Sequence, residues 1–119
     1  MSRARLFILA AVLVLFAAAG GLLIANSGRS GGQNVTFDVT VTGATRMSPS
    51  TLTARQNDNV TINITSDTTG EVHLHGYDLA FGTTAGQTVT HTFKATTTCR
   101  CDIEWESTGA PLGALVVSP

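Results

Sequence analysis

Eight residues, Glu71-Val72-His73-Leu74-His75-Gly76-Tyr77-Asp78, carry the densest metal-ligating chemistry in the chain. Two of its three histidines stand here, two residues apart, and alternate with Val72 and Leu74. A period of two is that of a β-strand, on which residues i and i+2 point to the same side of the sheet. Val72 and Leu74 therefore share one face, and His73 and His75 share the other. Residues so spaced start about 6.6 Å apart, from a rise of about 3.3 Å each. Two imidazoles can lean together onto one metal at about 2.0–2.1 Å from each nitrogen, the distances found on zinc. A third donor has to come from a neighbouring strand or loop, and Glu106, Glu71 and Asp78 are the candidates. The competing reading makes His73 and His75 a plain polar face opposite a buried Val72 and Leu74.

The other sulfur and nitrogen donors have simpler explanations. Cys99 and Cys101 alternate with Arg100 and Asp102 and share a face with Ile103 and Trp105, which suits small buried hydrophobes. As thiolates they could hold soft Cu(I) in a Cys-x-Cys clip. In an extended strand their Cα atoms lie near the upper end of the disulfide range, about 4.4–6.8 Å, with the Cβ atoms too far apart, so a mutual bond needs a bulge or a turn. His91 stands between Val89 and Phe93 as a packing or edge residue. Met47 reads as a gap-filler before a turn.

A chain of 119 residues has room for one domain and an appendage. Its charged fraction is 13%, its net charge is -1, and it has no Lys/Arg run, so nucleic-acid binding has no support. Two cysteines are too few for a disulfide-stapled secreted scaffold. Residues 1–25 begin with Ser2-Arg3-Ala4-Arg5 and continue as an uncharged apolar run from Leu6 to Ala25. That is about the 20 residues needed to cross a bilayer as a helix. A signal peptide cleaved after Ala17-Ala18-Ala19 is the rival, although Gly20 to Ala25 prolongs the apolar run past that point. Either way the remainder is exported, with Arg3 and Arg5 inside. The expected location is a single-pass membrane protein with its C-terminal domain extracytoplasmic, or a secreted or periplasmic domain after cleavage. Residues 26–33, rich in Gly and Ser, form a flexible linker.

Residues 34–119 read as all-β. Val35, Phe37, Val39 and Val41 alternate with Thr36, Asp38, Thr40 and Thr42. Val60, Ile62 and Ile64 alternate with Thr61, Asn63 and Thr65, and Val89, His91 and Phe93 with threonines. Further strands cover Leu52 to Ala54, the His segment running to about Phe81, Cys99 to Glu106, and Leu112 to Val117. Seven or eight short strands separated by turns predict a Greek-key β-sandwich preceded by one N-terminal hydrophobic helix. The sequons at Asn34, Asn59 and Asn63 are expected by chance in so Thr-rich a sequence.

From about Ala44 to Val117 the sequence resembles the cupredoxin superfamily. The resemblance is carried by Ser48-Pro49 leading to Leu52-Thr53-Ala54, by Val60 to Ser66, by the His strand with Gly76-Tyr77-Asp78, by Gly86 before a Thr/Val/Phe strand, and by Leu112-Gly113-Ala114-Leu115-Val116-Val117. It is most similar to small membrane-tethered bacterial cupredoxin-like domains with a Val-His-x-His-Gly-Tyr-Asp segment. Electron-transfer cupredoxins hold copper through two His, a Cys and a weak axial Met, most of them near the C-terminus. Here the resemblance puts Trp105 at the place of the Cys, Thr108 near the second His, and Pro111 or Leu112 near the Met. A blue-copper thiolate site is therefore not expected. Related domains carry a His near Glu106, which makes Glu106 the preferred third ligand.

No nucleophile elbow or Gly-rich oxyanion loop is present, and Glu104 and Glu106 read as a solvated polar face, so no enzyme is expected. The expectation is an extracytoplasmic cupredoxin-like domain binding a transition metal, copper above others, at a non-blue site of His73, His75 and Glu106, and acting in copper handling at the membrane. The implied partners are the metal ion and the membrane, with no nucleic acid and no identified protein partner. The alternative is a metal-free cupredoxin-fold interaction module of the cell envelope.

Overall fold

The computed structural model describes residues 30–119. The expected N-terminal helix, anchor or signal peptide therefore lies outside the described residues. Among the described residues no helix is long and apolar enough to cross a membrane.

Nine strands form two sheets. They are β1 (Asn34–Thr42), β2 (Arg46–Ser48), β3 (Thr51–Arg55), β4 (Asn59–Ser66), β5 (Gly70–Leu74), β6 (Leu79–Thr83), β7 (Thr88–Lys94), β8 (Cys99–Trp105) and β9 (Ala110–Ser118). The four-stranded sheet has the order β2-β1-β4-β7 and the five-stranded sheet β3-β9-β8-β5-β6. Two pairings are parallel, β1 with β4 and β3 with β9, and the others are antiparallel. The alternation seen in the sequence is the alternation of burial. Val39, Val41, Val60, Ile62 and Ile64 from one sheet meet Leu52, Val72, Leu74, Ile103, Trp105 and Leu115 from the other in one core. Each such aliphatic side chain, fully buried, contributes about 1.5–3 kcal/mol relative to exposure.

The count exceeds the expected seven or eight strands for two local reasons. Arg46–Ser48 pairs with the end of β1 as a short edge strand. The His segment, expected to run on to Phe81, instead ends at Leu74, turns, and returns as β6 antiparallel to β5. Gly76 at φ 83° and Asp78 at φ 52° are left-handed, and this reverses the chain within four residues. Gly76 could not be enlarged in place, because a Cβ there would stand 2.5 Å from the Cys101 sulfur.

Cys99 and Cys101 are disulfide-bonded, which corrects the expectation of two free buried thiols. Their Cα atoms are 5.4 Å apart, closer than two residues of ordinary strand and within the range a disulfide spans, so β8 is locally contracted where the bond forms. The register across Cys99, Arg100 and Cys101 to Val117, Val116 and Leu115 is unbroken; no bulge intervenes there. The shift in this pair of strands comes later, at Ile103/Glu104.

Asp58, completely buried, ties the start of the domain together. Its carboxylate accepts the backbone N–H of Gln33 at 3.1 Å and of Arg55 at 2.8 Å. A buried carboxylate is tolerated only with such donors.

Candidate metal centre

The site lies on the outer face of the five-stranded sheet, where β5 meets β8. The inward residues Val72, Leu74, Ile103 and Trp105 are buried, which obliges their neighbours His73, Glu104 and Glu106 to face outward. The register pairs Val72 with Trp105, His73 with Glu104 and Leu74 with Ile103. Beyond the last paired residue, the His75 N–H donates to the Asp102 carbonyl at 2.9 Å, and the Glu106 N–H donates to the Glu71 carbonyl at 2.9 Å. Both His75 and Glu106 are thus fixed to the opposite strand although neither lies inside one. The irregularity at Ile103/Glu104 skips Leu112, so that Glu104 pairs with Pro111. Irregularities of this kind re-aim a side chain beside functional sites.

These backbone constraints bring the imidazoles of His73 and His75 together, with ring centroids 4.4 Å apart. The Glu104 carboxylate faces both. Its Oε1 is 2.6 Å from His75 Nε2 and 3.7 Å from His73 Nδ1. One donor atom from each of His73, His75 and Glu104 can be chosen so that all lie within 4.8 Å of one another. Glu106 approaches from the side, its Oε2 3.2 Å from His73 Nδ1. Asp78 Oδ1 stands 3.3 Å from His73 Nε2, on a fully exposed side chain. Glu71 lines a shallow surface depression with Gly70, Trp105 and Glu106.

Glu106, the preferred third ligand from the sequence, therefore reaches His73, while the carboxylate that faces both imidazoles belongs to Glu104. The reading of Glu104 as plain solvated surface is corrected, since only 28% of its side chain is exposed. The signal in the sequence was the shared face of Glu104 and Glu106. What it lacked was the β5–β8 register that sets Glu104 directly opposite His73.

The electrostatics follow from this crowding. Partial removal of His73 from water disfavours its charge. The hydrogen bond that His73 donates to Asp78, the negative charge of Glu106 and the hydrogen bond with Glu104 outweigh that effect, and the His73 pKa is raised. A ring with carboxylates facing both nitrogens satisfies both only when both nitrogens carry protons. Glu104 is lowered, chiefly by its hydrogen bond with His75, against its own desolvation and with help from His73.

The other sequence candidates lie apart from this cluster. His91 contacts the Gly82 carbonyl at 3.0 Å through Nε2 and stacks on Phe81 at 4.9 Å, as a packed residue. Met47 is buried and lines a small apolar core cavity. The donor set also defines which metals fit. Imidazole nitrogen and carboxylate oxygen suit Cu(II) and Zn(II), whereas the sulfurs of Cys99 and Cys101 are consumed in their disulfide. The thiolate of a blue-copper site is missing.

No family model matches the chain, and no curated protein matches it. Solved structures do. A chain of a heme-copper terminal oxidase dimer aligns with TM-score 0.61 and 16% identity, covering 98% of this chain and 100% of that one. A copper binding protein in the apo form aligns with TM-score 0.58 and 9% identity, covering 76% of this chain and 100% of that one. The blue copper oxidase from Nitrosomonas europaea aligns with TM-score 0.55 and 20% identity, over 73% of this chain. The present chain spans 39% of the length of that oxidase. At such identities the likeness is one of architecture. With its nine strands in two sheets, the described domain has a cupredoxin-like fold.

Proposed function

We propose that the outer face of the five-stranded sheet binds a transition metal, Cu(II) above others, through His73, His75 and Glu104. Glu106 completes the site or steadies His73 within it. The domain works outside the cytoplasmic membrane, carried there by the apolar segment of residues 6–25, as an anchor or as a cleaved leader. Its task is to hold and hand on copper rather than to catalyse a reaction. What supports the reading most is a single observation: donor atoms of two histidines and a carboxylate lie within 4.8 Å of one another on a hydrogen-bonded strand pair. Neighbours of the same architecture whose descriptions name copper agree with it.

The chain's own residues would do three things here. His73 and His75 supply neutral nitrogens once the proton on His73 is displaced. Glu104 offsets part of the ion's charge. The β5–β8 backbone keeps the imidazoles together before any ion arrives, which lowers the ordering cost of binding. A bound Cu(II) would sit in a nitrogen–oxygen environment, without the thiolate bond that gives blue copper its colour.

The test is titration of the full chain in detergent with Cu(II), beside a His73→Ala/His75→Ala variant. The expected result is stoichiometric binding in the first and none in the second; equal binding in both would remove the imidazoles from the site. The metal-free interaction module remains the second reading, and one observation favours it. The cluster's groups already partner one another, with His75 Nε2 and Glu104 Oε1 in contact at 2.6 Å. No Cu(II) binding by the unaltered chain would select that reading.

A further inference from the structure

We propose that Cys99 and Cys101 form a second, separate metal site, opened when their disulfide is reduced by a dithiol and selective for a soft cation of the Cu(I) class. The inference does not rest on the imidazole–carboxylate site.

The disulfide is poorly explained as a staple. It joins residues only two apart in sequence. The stabilisation from a cross-link grows with the length of chain it closes, and this one closes almost none. The surrounding ladder does not need it either. Cys99, Arg100 and Cys101 are held in register by Val117, Val116 and Leu115, with β9 held in turn by β3. Opening the bond therefore leaves both cysteines in place.

What remains is a preset pair of thiols. The Cα atoms stand 5.4 Å apart. A metal–thiolate bond of about 2.3 Å lets one ion bridge sulfurs up to about 4.6 Å apart, a separation that freed side chains on this backbone reach. Cys101 is 4% exposed among core residues, and Cys99 is half-buried at the rim, which gives an entry side. Among the described residues the one His/Cys/Asp/Glu group of three or more with metal-holding spacing is His73, His75 and Glu104, so no His, Asp or Glu side chain joins the two sulfurs. Two thiolates without an imidazole or carboxylate partner suit Cu(I), whereas zinc calls for four ligands.

The electron balance is that of thiol–disulfide exchange. A thiolate of the dithiol attacks the Cys99 sulfur and releases Cys101. The second thiol of the reagent then displaces Cys99 and closes the reagent's own disulfide. Two electrons and two protons pass from the dithiol to the cysteine pair. Binding of Cu(I) afterwards releases the two thiol protons to solvent.

The experiment reduces the full chain in detergent with dithiothreitol, removes the reagent without oxygen, counts free thiols, and titrates Cu(I) against a chromogenic Cu(I) chelator. Circular dichroism follows the fold. The proposal expects thiols to appear with the β spectrum intact and a single Cu(I) per chain to be taken from the chelator after reduction but not before. That uptake is expected to be lost in Cys99→Ser and in Cys101→Ser and kept in His73→Ala/His75→Ala. Unfolding on reduction, failure of the disulfide to open in the folded chain, equal uptake before and after reduction, or uptake that follows the histidines would each overturn it.

Discussion

The two outer faces of the sandwich are built by the same period of two and end in opposite chemical states. On the four-stranded sheet, threonines and amides pair off across strands. Thr61 meets Thr92 at 3.2 Å and Thr65 meets Thr88 at 2.7 Å, while Asn63 donates to Asp38 at 2.9 Å and accepts from Thr90 at 2.7 Å. These are short, largely neutral side chains with one partner each, or two in the case of Asn63. On the five-stranded sheet, titratable groups converge on one spot, with the carboxylates of Asp78, Glu104 and Glu106 gathered around His73. Pairwise satisfaction leaves nothing for a ligand to gain. Convergence leaves two imidazoles and a carboxylate whose partners a cation can replace.

Removing a carboxylate is the strongest way to break that contrast. Glu104→Gln keeps the shape but loses the ligand oxygen's charge, and it is expected to weaken Cu(II) binding more than Glu106→Gln. The latter is expected to cost about 10–100-fold, the range for groups that orient a ligand. Parallel titrations check the order, and a larger loss for Glu106→Gln would make Glu106 the third ligand.

Changing the pH gives a smaller effect, with a defined sign. The raised pKa of His73 means that folding favours its protonated form. The corresponding stability is fully present below the ordinary imidazole value and is lost as pH rises through the raised one. The lowered pKa of Glu104 acts in the other sense: its contribution is present above the ordinary carboxylate value and is lost as pH falls through the lowered one. Metal affinity runs against the His73 effect, rising as that ring loses its proton. Melting temperature against pH, without metal, is expected to show the alkaline decline in the parent chain and not in His73→Ala. Identical profiles would mean that the carboxylates around His73 do not hold its proton.

The mildest change belongs to the other face. Thr61→Val removes one exposed hydroxyl pair, and the expected change in stability is within about 0.5 kcal/mol. Copper binding should not change at all. A chemical denaturation curve and one titration check both halves, and altered binding would show that the two sheets communicate.

The contrast also separates what the sequence makes legible from what it does not. Alternation of apolar and polar residues is local, and it gave the strands around Val39, Ile62 and Leu115 and the shared face of His73 and His75. Register is not local. Nothing near Glu104 in the chain says that it stands opposite His73, because that follows from how β5 and β8 fit over Val72, Ile103 and Trp105. The turn after Leu74 was legible in kind, since Gly76 and Asp78 favour left-handed backbone, but the apolar run from Leu79 to Phe81 suggested a continuing strand. The disulfide escaped because ordinary strand spacing was assumed for Cys99 and Cys101, whereas their Cα atoms stand 5.4 Å apart.

The most direct measurement of the central claim is electron paramagnetic resonance of the full chain loaded with one equivalent of Cu(II). Nitrogen hyperfine couplings are compared between the parent, His73→Ala and His75→Ala. The account predicts a non-blue axial spectrum with two imidazole nitrogens coupled in the parent and one in each variant. A spectrum that both single variants leave unchanged would contradict it, as would a thiolate-type blue-copper signal.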